Sequence, residues 1–274
     1  MNLAAPKEIA AAKNKAPGTA QIAKLICSED VQFDNVQERD GQMEKVEHLE
    51  AQEMTFTNSD GHMLAKGPGL VRTYTRGQNA MVAPQAKPAP GKQPPPREPD
   101  QPKKRDQLYF TEIHFADQME ANRTQDTARF RGQIECMHAP VDDETQRVDP
   151  NKLPSGGMRL ACQELEIGSK RGTSGKSFYE MVGTGNVDAE AREFEGRGDR
   201  LSYNQEQDRM IFEARPGSFA SLYRQTRPGE KPDEARGRKI WYFRSTNRAR
   251  VEDSNGLDII EQASDKNAMP KGRK

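Results

Sequence analysis

The run Gly172-Thr-Ser-Gly175-Lys176-Ser177 carries the ending of a phosphate-binding loop. Such a loop cradles phosphate oxygens with backbone N–H groups, neutralises them with its lysine and opens into a helix. It also needs a glycine five residues before Gly175, where this chain has Lys170. Ser177 leads into Phe178-Tyr-Glu-Met-Val-Gly183, which has the look of a strand, so the run reads as a hairpin tip. His48, His62, His114 and His138 are scattered, none with a second His or Cys at ligand spacing, and no metal site is expected. His114 falls between Ile113 and Phe115 and should point away from them, to solvent. Cys27, Cys136 and Cys162 contain no CxxC pair, and their odd number suits no disulfide framework. Cys162, in an alternating segment, reads as a small core residue. Asp199 after Gly198 suits a turn or bulge that caps backbone donors better than an acid catalyst. Without paired carboxylates, a nucleophile elbow or a Ser/His/Asp set, the chain is expected to be non-enzymatic, with no catalytic residue and no cofactor.

Arg238–Arg250 mixes arginine with Trp241, Tyr242 and Phe243 and could stack on single-stranded bases. Phosphate attraction dominates such binding, and here 42 Lys and Arg balance 42 Asp and Glu. Arginines flanking a strand and snorkelling outward explain the same residues, and no nucleic-acid partner is expected. In this segment Ile240 and Tyr242 point one way and Trp241 and Phe243 the other. A strand apolar on both faces should be covered on both or face a partner. No unbroken apolar run exceeds four residues, the length of Ile240–Phe243, which is far too short for a membrane span.

Residues of these types need a frame, and periodicity shows one. Along Tyr179–Tyr203, Tyr179, Met181, Val187 and Ala189 share one face with Gly183 and Gly185 between them. Glu180, Thr184, Asn186, Asp188 and Glu190 take the other face, and only Val182 breaks the rule. Apolar residues at every second position make a half-buried strand, so this segment is strand, turn, strand. With 33% hydrophobic and 31% charged residues, the chain can bury a thin core, as a bent sheet does. The expected organisation is a flexible tail over 1–21, a β-repeat region over 22–81 and a proline-rich linker or long loop over 82–106. A main β region over 107–253 and a flexible tail over 254–274 follow. A loose unit recurs: a small residue, two spacers, an apolar residue, a spacer and another apolar residue. Ser28/Val31/Phe33, Ala51/Met54/Phe56, Cys162/Leu165/Ile167 and Gly198/Leu201/Tyr203 fit it, and Phe110/Ile113/Phe115 fits except at its first position.

The phrases Gly183-Thr-Gly-Asn-Val187, Phe194-Glu-Gly196 and Gly198-Asp-Arg-Leu201-Ser-Tyr203 resemble the organic-solvent-tolerance (OstA-like) family, which includes the periplasmic bridge protein of lipopolysaccharide transport. Ala51–Phe56 followed by Gly67-Pro68-Gly69 looks like a degenerate copy. The resemblance spans 28–71 and 108–251 and is densest over 179–214.

The fold it implies is all-β: antiparallel strands stacked as an open, twisted jelly roll with solenoid-like repetition. It also implies a cell-envelope or periplasmic setting, an apolar groove for lipid or lipopolysaccharide acyl chains, and end-to-end stacking through exposed sheet edges. The implied groove residues are Val31, Phe33, Met54, Phe56, Ile113, Phe115, Leu165, Ile167, Val187, Leu201 and Tyr203. Ordinary core packing accounts for the same residues, and a packed module that binds other proteins through its edges is the alternative. The N-terminus has no apolar signal-type segment, so an envelope protein would have its true start upstream or be represented here by a fragment. The polar insertions over 139–157 and 224–237 also depart from the family pattern.

Overall fold

A computed structural model describes residues 23–39, 42–76, 107–172, 177–224, 232–252 and 258–261. The tail 1–21 and the linker 82–106 lie outside these residues. Six long strands dominate: β1 (Lys24–Arg39), β2 (Gln42–Thr57), β7 (Thr127–Val141), β8 (Met158–Arg171), β9 (Ser177–Ala191) and β10 (Phe194–Asn204). Between β2 and β7 come β3 (His62–Lys66), β4 (Gly69–Arg76), β5 (Leu108–Phe115) and β6 (Gln118–Asn122). After β10 follow β11 (Arg209–Glu213), β12 (Ala220–Arg224), β13 (Asp233–Gly237), β14 (Lys239–Phe243), β15 (Arg248–Glu252) and β16 (Asp258–Glu261). All pairings are antiparallel, and the described residues contain strands and one 3₁₀ turn but no α-helix. The protein is therefore all-β and jelly-roll-like. β16 pairs with β15, so part of the expected C-terminal tail belongs to the sheet.

The sheet is folded along a line that every long strand crosses. Each long strand contributes one half to a first arm and the other half to a second. β3 and β4 are the two halves of one such strand, broken at Gly67-Pro68, and β5 and β6 are the halves of another, broken at Ala116-Asp117. Hydrogen bonds carry the sheet across this line, with Gly67 N–H donating to Asp117 O and Ala116 N–H to Gly132 O, both at 2.6 Å. Consequently the pairings of β2, β3, β6, β7, β5 and β4 close a ring. The two β regions separated in the sequence are one continuous sheet, because β4 pairs with β5 along its whole length and β3 with β6. The spacer between β4 and β5 joins ends that are already paired, Arg76 with Leu108.

Two kinds of corner make the fold. Strands running from the first arm to the second turn on consecutive residues at positive φ: Glu29-Asp30 in β1, Gly132-Gln133 in β7 and Gly185-Asn186 in β9. Strands running back cross at a small residue followed by Gln or Asp: Ala51-Gln52, Ala116-Asp117, Cys162-Gln163 and Gly198-Asp199. The two kinds interlock. The Asp117 side chain fills the space where a Gly132 Cβ would sit, and Gln163 does so at Gly185. The recurring unit in the sequence is thus the returning corner. A fourth copy is Ala116/Met119/Ala121 rather than Phe110/Ile113/Phe115, because a three-residue step in a regular strand puts Phe110 on the opposite face. Ser28, by contrast, sits at a corner of the other kind.

The outside is charged in matched pairs across neighbouring strands: Arg129 with Glu164 (2.9 Å), Arg159 with Glu190 (3.1 Å), Arg200 with Glu213 (2.6 Å) and Arg72 with Glu112 (2.8 Å). Opposite charges facing each other across strands reconcile high charge with zero net charge. Trp241, on the outer face of β14, is half-buried. The Lys239 ammonium (5.3 Å) and the Arg250 guanidinium (5.2 Å) both lie over its ring, so cationic side chains cover part of that face. The insertion after β7 also packs. Val148 and Leu153 join Tyr74, Leu108, Phe110 and Val141 in a small second cluster on the outer face of the second arm.

Gly185→Ala should lower stability by about 1–3 kcal/mol, since it combines a left-handed backbone with a filled space. Gly217 also has positive φ but nothing within 4 Å of a Cβ, so Gly217→Ala should cost clearly less. Melting temperatures of the two variants would test this, and an equal loss would remove the corner from the explanation.

Candidate ligand cavity between the arms

The strand pairing aligns interior side chains into rows that cross many strands. Next to the corner in the first arm runs Cys27–Met54–Ala65–Met119–Phe130–Leu165–Gly183–Leu201–Phe212–Ile240–Val251. Its counterpart in the second arm runs Phe33–Leu49–Val71–Ile113–Cys136–Leu160–Ala189–Gly196–Leu222–Ala235. These rows supply most of one contiguous core. On the β9–β15 side that core is filled. Leu160, Leu201, Met210, Phe212 and Ile240 have no exposed surface, the Phe212 ring occupies the space where a Gly196 Cβ would sit, and Phe194 meets Tyr242 at 5.0 Å.

Beneath β2–β7 the same interior is open. The cavity there measures about 530 Å³, within the range of small-molecule sites. Its origin is visible one row further from the corner. In the first arm that row reads Leu25–Phe56–Met63–Ala121–Ala128–Ile167 and then Met181–Tyr203–Met210–Tyr242. Two alanines fall under the ring where the other side carries methionine and tyrosine. Thr73 and Thr111 of the second arm line the same cavity as Ala121 and Ala128. Four short side chains thus leave the space. Phe33, Leu49, Val71, Ile113, Met119 and Phe130 form its apolar part near the corner.

Toward the tip of the second arm the lining turns polar. Asn35, Glu47, Thr73, Thr111 and His138 stand side by side on adjacent strands as one row. The alternation has changed sense here, since the outer face carries the apolar Val46, Tyr74, Phe110 and Ala139 at the neighbouring positions. Burial raises the Glu47 carboxyl, but the Lys45 ammonium at 2.5 Å and an amide hydrogen bond from Asn35 at 2.8 Å outweigh it and hold the group below its ordinary value. His138 is 1% exposed, stacks on Tyr109 and shares a 2.8 Å hydrogen bond between Nδ1 and the Thr111 hydroxyl. Desolvation, aided by Arg244, pushes its pKa down to about 3, so it is neutral near pH 7. Its Nε2 is buried with no hydrogen-bond partner among the described residues.

All eleven sequence-derived groove residues face the interior. Phe33, Ile113 and Ile167 line the cavity. Val31, Met54, Phe115, Leu165, Val187, Leu201 and Tyr203 are buried in the main core, and Phe56 is half-buried on the outer first-arm row. Sequence reasoning missed the polar row. Its signal was the threonines flanking Tyr74 and the change of phase between Phe110 and Ile113. Elsewhere, Asp199 Oδ2 accepts from Arg215 N–H (2.8 Å) and the Ser218 hydroxyl (3.1 Å), the capping role its position suggested. Cys162 is a core residue, and burial pushes both its thiol and that of Cys136 up to about 12. Arg171 pairs with Ser177, so the glycine-rich run joins two antiparallel strands; residues 173–176 lie outside the described set. His114 is exposed. Among the described residues no group of acidic, His and Cys side chains could hold a metal, and no helix is long and apolar enough to cross a membrane.

No family model and no curated protein matches this chain.

A histidine with a lowered folded pKa contributes stability that is complete above its unfolded value near 6.5 and is lost as pH falls toward about 3. At pH 5 that loss should approach about 2 kcal/mol relative to pH 7. His138→Gln should therefore flatten the denaturation midpoint between pH 7 and 5 relative to the parent protein. Parallel pH profiles would contradict burial of a neutral imidazole.

Proposed function

We propose that this protein binds one lipid-like amphiphile between its two arms and does no chemistry on it. The observation that carries this reading is the cavity of about 530 Å³ with an apolar base and a polar mouth, beside a half of the core in which Leu201, Met210, Phe212 and Ile240 have no exposed surface. At ~30 Å³ per water-sized group, that volume suits on the order of 15–20 non-hydrogen atoms, which is one chain with a small head. A lipopolysaccharide with several acyl chains is larger than this space. The filled rows on the β9–β15 side favour holding a ligand beneath the ring over passing it along the whole sheet. The resemblance to the OstA-like family supports lipid as the ligand class and the cell envelope as the setting, as a carrier or scaffold in outer-membrane biogenesis.

A second reading, edge-strand assembly, has its own observation. β1 is a strand of 16 residues that pairs only with β2 among the described strands and exposes Ile26 (65%) and Val36 (58%). Unpaired backbone N–H and C=O groups along such an edge suit addition of a strand from a partner or a second copy. The two readings are compatible.

Ala128→Trp tests the first. An indole added to the alanine row should fill the cavity and weaken a fluorescent twelve-carbon amphiphile at least tenfold, with melting temperature monitored in parallel. A photo-reactive residue at Ile167 should label such a ligand, whereas one at Leu201, inside the packed half, should not. Undiminished binding by a folded Ala128→Trp variant, or equal labelling at both positions, would reject the cavity as the site.

A further inference from the structure

The polar row points to the kind of head group the cavity accepts, an inference that rests on the ligand-binding reading above. Its members come from five adjacent strands and meet at one level: Asn35, Glu47, Thr73, Thr111 and His138. A row of hydrogen-bonding side chains on the inner face of a sheet costs burial energy unless something satisfies it. Part of the row satisfies itself. Asn35 and Lys45 hold Glu47, and Thr111 holds Nδ1 of His138. What is left over is specific. His138 lines the cavity, is almost fully buried, and keeps Nε2 without a partner. Thr73, between Glu47 and Thr111, also lines the cavity. Buried polar atoms in native proteins are nearly always paired, so an unpaired one in a cavity wall calls for a ligand atom or a water.

Charge narrows the class. The cavity lining holds three permanent cations, Lys45, Arg76 and Arg123, and three carboxylates, Glu44, Glu47 and Asp126. Glu47, the charge that belongs to the row, is already matched by Lys45. A carboxylate or phosphate head would meet no surplus positive charge at this level, and an ammonium head no surplus negative charge. Hydroxyl groups both donate and accept, and so suit a wall of threonine hydroxyls and a neutral imidazole whose tautomer can adjust.

We propose that the Asn35–Glu47–Thr73–Thr111–His138 row recognises an uncharged, hydroxyl-bearing head on a single-chain amphiphile, with His138 Nε2 and the Thr73 hydroxyl as its free hydrogen-bonding groups. A sugar or a glycerol would supply that chemistry. The apolar chain lies toward Phe33, Val71 and Phe130, and the head toward the arm tips.

Titration calorimetry at pH 7 tests this with ten-carbon probes below their micellar concentrations: decyl glucoside, 1-decanoylglycerol, decanoate and decylammonium. At least one hydroxylated probe should bind tenfold or more tightly than both charged ones, and the tighter of the two identifies sugar or glycerol as the source. Thr73→Val, nearly isosteric, and His138→Leu should each reduce that affinity about five- to thirtyfold and leave decanoate unchanged. The threonine variant keeps the test valid if the histidine variant does not fold. Equal binding of all four probes, or full affinity in a folded Thr73→Val, would overturn head-group recognition while leaving the cavity reading intact. Binding of none of them would overturn both.

Discussion

The fold depends on a backbone constraint more than on any side-chain contact. A β-strand rises steadily and cannot bring its two halves face to face unless something turns it. Here the turn is made by pairs of residues at positive φ in β1, β7 and β9, each pair opposing a single residue of a returning strand beside its small residue, which shifts the register by one. Positive φ disfavours side chains with a Cβ, which is why glycine leads two of the three pairs and Asn or Gln follows it. Because strands of opposite direction carry complementary corners, the Asp or Gln of one packs over the glycine of the next. Folding one sheet this way gives a two-layered interior from a single meander, so the chain needs little apolar sequence.

That economy determines where the molecule can bind anything. Rows run perpendicular to the strands, so the contents of the interior change only with which strand supplies a position. On one side the rows bring methionine, tyrosine and phenylalanine together, with Gly196 admitting the Phe212 ring. Beneath the ring of β2–β7 they bring alanine opposite threonine. The open half is stabilised by contacts outside it, where Val148 and Leu153 of the loop after β7 cover Phe110 and Tyr74. Burial of the outer face there lets the inner face be polar without exposing the second arm on both sides.

Much of this was legible in the sequence. Two-residue alternation in 179–203 identified the strands, and the spacing of Cys162, Leu165 and Ile167, and of Gly198, Leu201 and Tyr203, marked the returning corners. What could not be read was the order of burial across strands, because a row is a property of the pairing and not of any segment. Phe110 therefore looked like a partner of Ile113, although it faces outward. Ile113 and Leu165 looked equivalent, although one lines a cavity and the other fills the core. The polar row was invisible for the same reason. Its five members are spread over more than a hundred residues and share nothing but lateral position.

The folded sheet has a single shared interior, closed at one side and hollow at the other, and ligand binding between the arms depends on it. The most direct test is through-space NMR contact between rings from opposite arms. Phe194 of the second arm and Tyr242 of the first should show strong cross-peaks, as should Phe115 and Phe130 at 5.9 Å beside the cavity. Rings that contact only neighbours in their own arm would mean that the arms do not close on each other, and neither the packed half nor the cavity would exist as described.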